Sequence, residues 1–349
     1  MYRLTTRTRA GTATEIAVFV LVLAGLALPA VTSRGVIQDL FFILTMLTLA
    51  QIWNLLAGYG GLVSVGQQAF VGIGAYAMFA GVILLGWNPV AAILLGGLAA
   101  LALAVPTAFF AFRLQGAYFA IGTWVIAEVT RLLIAQWKAL GGGTGTSLPR
   151  EATSNIMGTD AIQALFGVRE AAARDILAYW LALALVVVVT GCIYWLLRSR
   201  LGLALAAVRD NVDAAQSVGV DVGRLKWAVF LIAAAATGLT GALIFVQTAR
   251  ISPEAAFAVT DWTAYVIFIV VIGGIGTIEG PIVGVLVFFA LRSALADYGS
   301  WYLMTLGLAA IAVMLFAPKG LWGLISARSG LHLFPVRRRL AGLKIEGGN

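Results

Sequence analysis

Long apolar runs alternate with short polar or glycine-rich breaks along almost the whole chain. The runs are continuous, which indicates helices and argues against the two-residue period of a membrane β-barrel. Each run is close to the roughly 20 residues that a helix needs to cross a bilayer. We therefore predict an all-α, polytopic transmembrane helical bundle of about ten spans, at residues 15–33, 37–57, 62–85, 89–112, 115–137, 176–197, 227–249, 261–278, 280–297 and 301–317.

The composition agrees with an integral membrane protein. Of the 349 residues, 61% are hydrophobic and only 11% are charged, and the mean hydropathy is +0.99. Soluble domains carry about twice this share of charged residues. The predicted organisation is one transmembrane domain at residues 15–317, between an N-terminal tail at 1–14 and a basic C-terminal tail at 318–349.

The distribution of cations predicts the orientation. If the N-terminus is inside, fifteen lysines and arginines fall in inner segments and six in outer segments. Because cytoplasmic segments are enriched in these residues, we predict that both termini are cytoplasmic. The net charge of +8 then belongs to tails and span ends beside membrane lipid, and we expect no nucleic-acid partner. Cys192 is the single cysteine, so neither a disulfide nor a metal site is expected.

The stretch GYGGLVSVGQQAFVGIGAY, at residues 58–76, carries unusual polarity for a span. If residues 61–85 form a helix, five small or polar residues share an arc of about 80°. These residues are Gly61, Ser64, Gln68, Gly72 and Ala75. Such a stripe avoids lipid, so it either packs closely against other helices or lines a translocation path. Close packing accounts for the glycines but does not need two glutamines.

The fifth predicted span contains a charged pair. Glu128 lies near the middle of GAYFAIGTWVIAEVTRLL, and Arg131 follows three residues later on the same helical face. The pair either pins this helix to its neighbours or contacts the substrate.

Two predicted loops are long. The outer loop spans 138–175 with a short helix expected at 160–173, and it is either a connector or a lid or docking surface. In the inner loop, at 198–226, Asp210 suits an N-cap, Asp213 a first helical turn and Gly219 a helix stop. A short cytoplasmic helix over 211–218 is therefore predicted. Its small residues, including Ala214 and Ala215, suit a groove of another protein.

Several stretches resemble a known family. RDNVDAAQSVGVDVGRLK in the inner loop is similar to the coupling segment of ATP-binding-cassette (ABC) importer permeases, in particular the LivM-type branched-chain amino acid permease family. NLLAGYGGLVSVGQQAFVGIGAYA, GAYFAIGTWVIAEVTRLL, VVIGGIGTIEGPIVGVLVFFALR and FAPKGLWGL resemble the same family, in order, over residues 54–323.

The resemblance implies a transport subunit rather than an enzyme, in a bacterial inner membrane. It also implies a second homologous permease subunit, two ABC ATPase subunits and an extracytoplasmic solute-binding protein. No phosphate-binding GxxxxGK[ST] motif occurs in the chain, so we expect no cofactor here and ATP with Mg²⁺ on the ATPase subunits.

The candidate residues form three sets. Those for the translocation path are Ser64, Gln67, Gln68, Phe70, Tyr118, Thr123 and Glu128. Those for helix packing are Gly61, Gly72, Gly273, Gly274, Gly280 and Pro281. Those for coupling to an ATPase are Asp210, Asp213, Ala214, Ala215 and Gly219.

Two other functions remain open from the sequence. One is a facilitative channel or secondary carrier for a small neutral solute such as urea or an amide. A carrier would not need the capped inner helix, and an ion-coupled one usually needs more ionisable groups within its spans. The other is a membrane scaffold, which would leave the polar stripe unused.

Overall fold

The computed structural model describes residues 3–5, 9–295, 300–330, 333–334 and 339–341. These residues form a helical bundle, which confirms the predicted all-α class. The helices are α1 Arg9–Ala27, α2 Arg34–Asn54, α3 Gln67–Leu85, α4 Pro89–Ala111, α5 Ala117–Ala135, α6 Arg150–Ser154, α7 Thr159–Phe166, α8 Glu170–Arg198, α9 Arg200–Asp210, α10 Val212–Ser217, α11 Val222–Thr248, α12 Pro253–Ala256, α13 Tyr265–Gly273, α14 Glu279–Leu295, α15 Ser300–Phe316 and α16 Gly320–Ser329. The short strands are β1 Arg3–Thr5, β2 Thr146–Ser147, β3 Arg250–Ile251 and β4 Arg339–Ala341, paired antiparallel as β1 with β4 and β2 with β3.

Fewer helices than expected are long enough to span a membrane. Within the described ranges, seven helices are long and apolar enough, or eight if the bent pair Met304–Phe316 and Gly320–Ser329 is one span. The seven are Arg34–Tyr59, Gln67–Leu85, Pro89–Ala111, Ala117–Ala135, Glu170–Arg198, Val222–Thr248 and Pro253–Gly273. The prediction of about ten is therefore too high. Ile16–Ala30 and α14 are apolar but fall short of the roughly 20 residues of a crossing.

The predicted tails contain helical residues. Helix α1 begins at Arg9, inside the segment predicted as an N-terminal tail, and α16 lies inside the predicted C-terminal tail. Residues 1–2, 6–8, 331–332, 335–338 and 342–349 of those tails lie outside the described residues, as do 296 and 297 at the end of the ninth predicted span.

Glycines bring α3, α4 and α11 into backbone contact. A Cβ added to Gly74 of α3 would lie 2.2 Å from the carbonyl oxygen of Gly238 in α11. One added to Gly238 would lie 2.5 Å from the carbonyl oxygen of Gly96 in α4. No side chain fits at these crossings, so small residues allow the three helices to approach closely.

The long helix α8 packs along α2, and polar contacts join their neighbouring ends. The buried Asp175 carboxylate accepts from Arg34 Nε at 2.5 Å and from Gln38 Nε2 at 2.9 Å. A cavity of about 610 Å³ opens beside this contact. It is lined by Arg34, Gln38, Asp39, Phe41, Phe42, Thr45, Arg174, Asp175, Ile244, Gln247, Thr248, Trp262, Phe289, Arg292 and Ser293.

The third predicted span differs from expectation at its start. A π-helical segment, Leu55–Tyr59, continues α2, and residues 60–66 are then non-helical before α3 begins at Gln67. The helix predicted for 61–85 is therefore wrong at its first six residues. Gly61 and Ser64 lie outside it and cannot share a helical stripe with Gly72.

Both long loops contain more helix than predicted. In the outer loop α7 ends at Phe166 and α8 already begins at Glu170, so the helix expected at 160–173 is two separate helices. In the inner loop α9 precedes the predicted short helix, and α10 covers Val212–Ser217 within the predicted range 211–218.

Candidate functional site

The non-helical segment before α3 is held by buried hydrogen bonds. Trp53 Nε1 donates to the carbonyl oxygen of Ser64 at 2.8 Å, and the backbone N–H of Val65 donates to Thr123 Oγ1 at 3.2 Å. The N–H of Gly66 donates to Ser64 Oγ at 3.2 Å. Irregular backbone at membrane depth is tolerated only when its polar groups are satisfied in this way. Ser64 and Thr123 therefore stabilise a break between two helices.

Two glutamines follow at the first residues of α3, and both are buried. The Oε1 atom of Gln68 accepts from Thr263 Oγ1, and the backbone N–H of Gln68 donates to the same hydroxyl at 3.3 Å. Gln67 Oε1 accepts from Thr237 Oγ1 at 3.3 Å, while its Nε2 is buried without a hydrogen-bond partner. The glutamines thus join α3 to α11 and to the π-helical segment Thr260–Ala264.

The structure divides the residues predicted for the path into two groups. Five are buried around the start of α3: Ser64, Gln67, Gln68, Phe70 and Thr123. Phe70 lies edge-on to Phe230, with 5.6 Å between ring centroids. Tyr118 is 71% exposed, and Glu128 forms an ion pair with Arg131 on the outer surface of α5. None of these residues lines the cavity between α2 and α8.

A second break separates α13 from α14, and buried amides of α2 hold it. Asn54 Nδ2 donates to the carbonyl oxygen of Thr277, and its Oδ1 accepts from the N–H of Gly276, both at 2.8 Å. Gln51 Nε2 donates to the carbonyl oxygen of Ile278 at 2.7 Å. Asn54 and Gln51 are functional candidates that were not predicted from the sequence. Their signal was two amides three residues apart at the end of an apolar run.

Close backbone contacts surround this second break. A Cβ on Gly273 would lie 1.9 Å from the carbonyl oxygen of Gly280, and one on Gly280 would lie 2.1 Å from that of Gly274. Gly274 also has φ +133°, which disfavours any other residue. Pro281 is buried in the first turn of α14, where the absence of an N–H costs no helical hydrogen bond.

Two glycines of the predicted stripe have different environments. A Cβ on Gly72 would lie 2.5 Å from the ring of Phe257, so this residue packs against a neighbouring segment. Gly61 is exposed, has φ +67° and would meet nothing within 4 Å. Its predicted role in helix packing is therefore wrong. Its conformation, rather than a close contact, accounts for glycine at this turn.

The inner loop differs from the prediction at two residues. The N-cap of α10 is Asn211, whose Oδ1 accepts from the N–H of Ala214 at 3.0 Å, whereas Asp210 ends α9. Ala215 is buried with Leu205 and Leu225 in an apolar cluster of the chain itself, so it is not available to a partner. The remaining predicted residues, Asp213, Ala214 and Gly219, are exposed, and Gly219 has φ +86° after the helix.

One arginine of the inner loop lies close to both breaks. Arg209 of α9 has its Nη1 atom 3.4 Å from the carbonyl oxygen of Gly58, just before the first break. The same atom would lie 3.2 Å from a Cβ on Gly276, in the second break. Arg209 counted only as an inner cation in the sequence analysis. Nothing local in the sequence distinguishes it from the other arginines of the loop.

Comparison with known proteins identifies the family. The family described as branched-chain amino acid transport system / permease component matches residues 35–318, which is most of the chain. The chain belongs to this family. It is 31% identical over 315 residues to the high-affinity branched-chain amino acid transport system permease protein LivM of Escherichia coli (strain K12), covering 87% of this chain and 73% of that protein. LivM of Salmonella typhimurium is 30% identical over 312 residues, which cover 86% of this chain and 73% of that protein.

A shorter match adds a third relative. The permease protein BraD of Pseudomonas aeruginosa, also named for high-affinity branched-chain amino acid transport, is 30% identical over 141 residues. These residues cover 39% of this chain and 44% of BraD.

Membership of this permease family establishes the class of protein. The chain is a multi-pass membrane transport component and not an enzyme. A permease component acts with other parts of its transport system, so a surface that contacts such a part is required. Helix α9 places Arg209 close to both breaks of the bundle, and the next helix, α10, offers exposed residues.

Proposed function

We propose that this chain is the permease subunit of an ATP-driven ABC importer for branched-chain or other small amino acids. The importer contains a second homologous permease subunit, two ABC ATPase subunits and an extracytoplasmic solute-binding protein. ATP and Mg²⁺ bind to the ATPase subunits. The chain lies in a bacterial inner membrane with both termini and the α9–α10 loop in the cytoplasm, an orientation that the distribution of cations supports.

The α9–α10 loop is the single observation that carries this proposal. One side of α10 is exposed and offers small and polar residues, with Ala214 near its centre. On the other side, Ala215 is buried against α9 and α11. The preceding Arg209 contacts the backbone at Gly58. A partner that binds the exposed side therefore acts on a helix that packs against α9 and α11.

The proposed mechanism is alternating access. Closure of the ATPase subunits on ATP pushes α10, and the connected α9 transmits this displacement to the breaks at 60–66 and 274–278. Helices interrupted at such breaks change their relative angle more easily than continuous helices. ATP binding shifts the equilibrium only if the ATPase dimer binds the two conformations of the permease with different affinity.

The substrate class rests on the relatives. LivM of Escherichia coli and BraD of Pseudomonas aeruginosa are named for branched-chain amino acid transport, and the match to LivM covers most of both chains. Gln67 Nε2, which is buried without an acceptor near the first break, supplies one donor that a solute carboxylate could use when the path opens.

Reconstitution tests the proposal. Liposomes that contain the complete complex, with the binding protein outside and ATP inside, should accumulate radiolabelled leucine. This uptake should stop when ATP is omitted. The purified chain alone should show no leucine or urea flux. Solute flux through the chain alone would contradict an ATP-driven importer and support the facilitative channel or carrier.

A further inference from the structure

Only one face of α5 contacts the rest of the chain. Its buried residues, Phe119, Thr123, Ala127, Thr130 and Ile134, lie three or four residues apart. Its exposed large side chains are Tyr118, Ile121, Trp124, Val125, Val129, Leu132 and Leu133. Within the most apolar 18-residue segment of α5, 28% is buried inside the described structure. This buried share is the lowest among the seven spanning helices, and the corresponding share of α11 is 72%. Helix α5 is therefore at the edge of this bundle.

The exposed face of α5 contains an ion pair at membrane depth. At 100° per residue, Ile121, Trp124, Val125 and Leu132 all lie within about 60° of Glu128. Glu128 lies about 16 Å along the axis of this 19-residue helix. The side chains of Glu128 and Arg131 are 43% and 31% exposed. Acyl chains would therefore contact both charges if lipid covered this face.

The guanidinium of Arg131 does not extend toward the nearer end of the helix. Its Nε atom lies 3.0 Å from both carboxylate oxygens of Glu128, and its Nη2 also donates to Oε1. An arginine that faces lipid usually directs its charge to the headgroups. Here both charges stay near the middle of the span, where lipid cannot satisfy their remaining hydrogen-bonding capacity.

Helix α4 provides the contrast within the same chain. It also has a large exposed face, with 33% of its most apolar segment buried, although its other face packs closely on α3 and α11. Its exposed large residues are all apolar: Leu94, Leu98, Val105, Phe109 and Phe110. Such a surface suits lipid without any partner. The two helices thus have similar exposure but different chemistry, and only α5 carries charges on its open face.

We propose that the face of α5 formed by Ile121, Trp124, Val125, Glu128 and Leu132 is the contact surface for the second permease subunit. This proposal rests on the proposed function, which requires such a subunit. A soluble ATPase or binding protein cannot reach this depth, whereas a transmembrane helix can. A helix with a hydrogen-bond donor at the level of Glu128 would complete the solvation of its carboxylate. Trp124 and Tyr118 add the aromatic area that is common in protein interfaces.

Photo-crosslinking in the complete transporter tests this surface. A photoactivatable phenylalanine analogue replaces Val125, or Leu132 in a second variant, in a chain that carries an affinity tag. The matched control places the analogue at Leu98 of α4, which is also exposed within a span. We expect an adduct with a permease chain at 125 and 132 in several-fold higher yield than at 98. Differently tagged copies show whether the captured chain is a second copy or a homologous subunit.

Adducts with lipid alone at both 125 and 132, as at 98, would overturn the proposed contact surface. ATP-driven uptake is measured on the same complexes before irradiation, so the two proposals can fail separately. Lipid adducts in a complex with ATP-driven uptake would contradict only the contact surface. Permease adducts in a complex whose uptake is independent of ATP would contradict only the importer function.

Discussion

Arg209 Nη1 lies 3.4 Å from the carbonyl oxygen of Gly58. This contact joins the inner loop to the last helical turn before the first break. The arginine side chain is 38% exposed and its Nε lies 3.6 Å from Asp210 Oδ1. The carbonyl of Gly58 lies in the last turn of a helix that ends at Tyr59, where backbone carbonyls have no following helical N–H to accept from. A cation at this position can both stabilise the turn and follow movements of α9.

Removal of this contact should uncouple ATP hydrolysis from transport. In Arg209→Ala the inner loop keeps its apolar cluster around Ala215, so the ATPase subunits should remain bound. The link to the backbone at Gly58 is lost, and we expect several-fold fewer solute molecules transported per ATP. Paired measurements of leucine uptake and phosphate release in proteoliposomes give this ratio.

Arg224→Ala is the matched control for this prediction. Arg224 lies in the same loop region, but its side chain is 91% exposed and pairs only locally with Asp221 at 3.0 Å. Its removal should leave the ratio unchanged. If both variants lower the ratio equally, charge in the loop matters and the contact with Gly58 does not.

The two adjacent glutamines should differ in their effect on stability. Gln68→Leu leaves the buried Thr263 hydroxyl without its amide acceptor, so it should lower the free energy of unfolding by about 1 to 3 kcal/mol. Gln67→Leu removes a longer contact with Thr237, whose hydroxyl also donates to Ala233, together with an unpartnered Nε2. Gln67→Leu should therefore lower the free energy of unfolding by less than Gln68→Leu does. Thermal unfolding of the purified variants compares them, and an equal or reversed order would contradict the assigned contacts.

A bulky residue at Gly72 should prevent correct packing. In Gly72→Leu the new side chain meets the ring of Phe257, and overpacking of this kind costs about 1 to 3 kcal/mol or more. Gly191→Leu is the control, because Gly191 of α8 has nothing within 4 Å of an added Cβ. The amount of monodisperse protein extracted from membranes measures the difference. Similar yields of both variants would show that α3 does not pack against Phe257 in the membrane.

The sequence predicts the bundle because apolar length is a local property. Each of the seven spanning helices overlaps a predicted span, and the aspartate and glycine signals at Asp210, Asp213 and Gly219 located α10. The N-cap of α10 lies one residue after the predicted Asp210. Asp210 and Asn211 are both good N-caps, and the choice depends on α9, which continues to Asp210 and was not predicted.

The two breaks could not be predicted because their hydrogen bonds are long-range. Asn54 contacts Gly276 and Thr277, and Thr123 contacts Val65, across more than fifty residues of sequence in each case. Residues 60–66 contain no charged side chain, so hydropathy alone extends α3 backward through them. Long-range packing also decides which side of α10 is exposed, because α9 and α11 bury Ala215.

The proposed function requires an ATPase subunit to bind the exposed side of α10. Ala214 lies on that side, in the middle of the helix, while its neighbour Ala215 is buried and would disturb the loop itself if enlarged. Ala214→Arg places an unpaired charge in the proposed contact and should cost several kcal/mol of binding free energy there. The control is Ala161→Arg, an exposed alanine of α7 in the outer loop.

Co-purification of the ATPase subunits with tagged permease, at equal membrane levels of the variants, measures this contact most directly. We expect Ala161→Arg to retain the ATPase at the level of the unmodified chain. Ala214→Arg should lose most of the ATPase, together with ATP-driven leucine uptake. Full retention of ATPase and uptake by Ala214→Arg would contradict the assignment of α10 as the coupling helix.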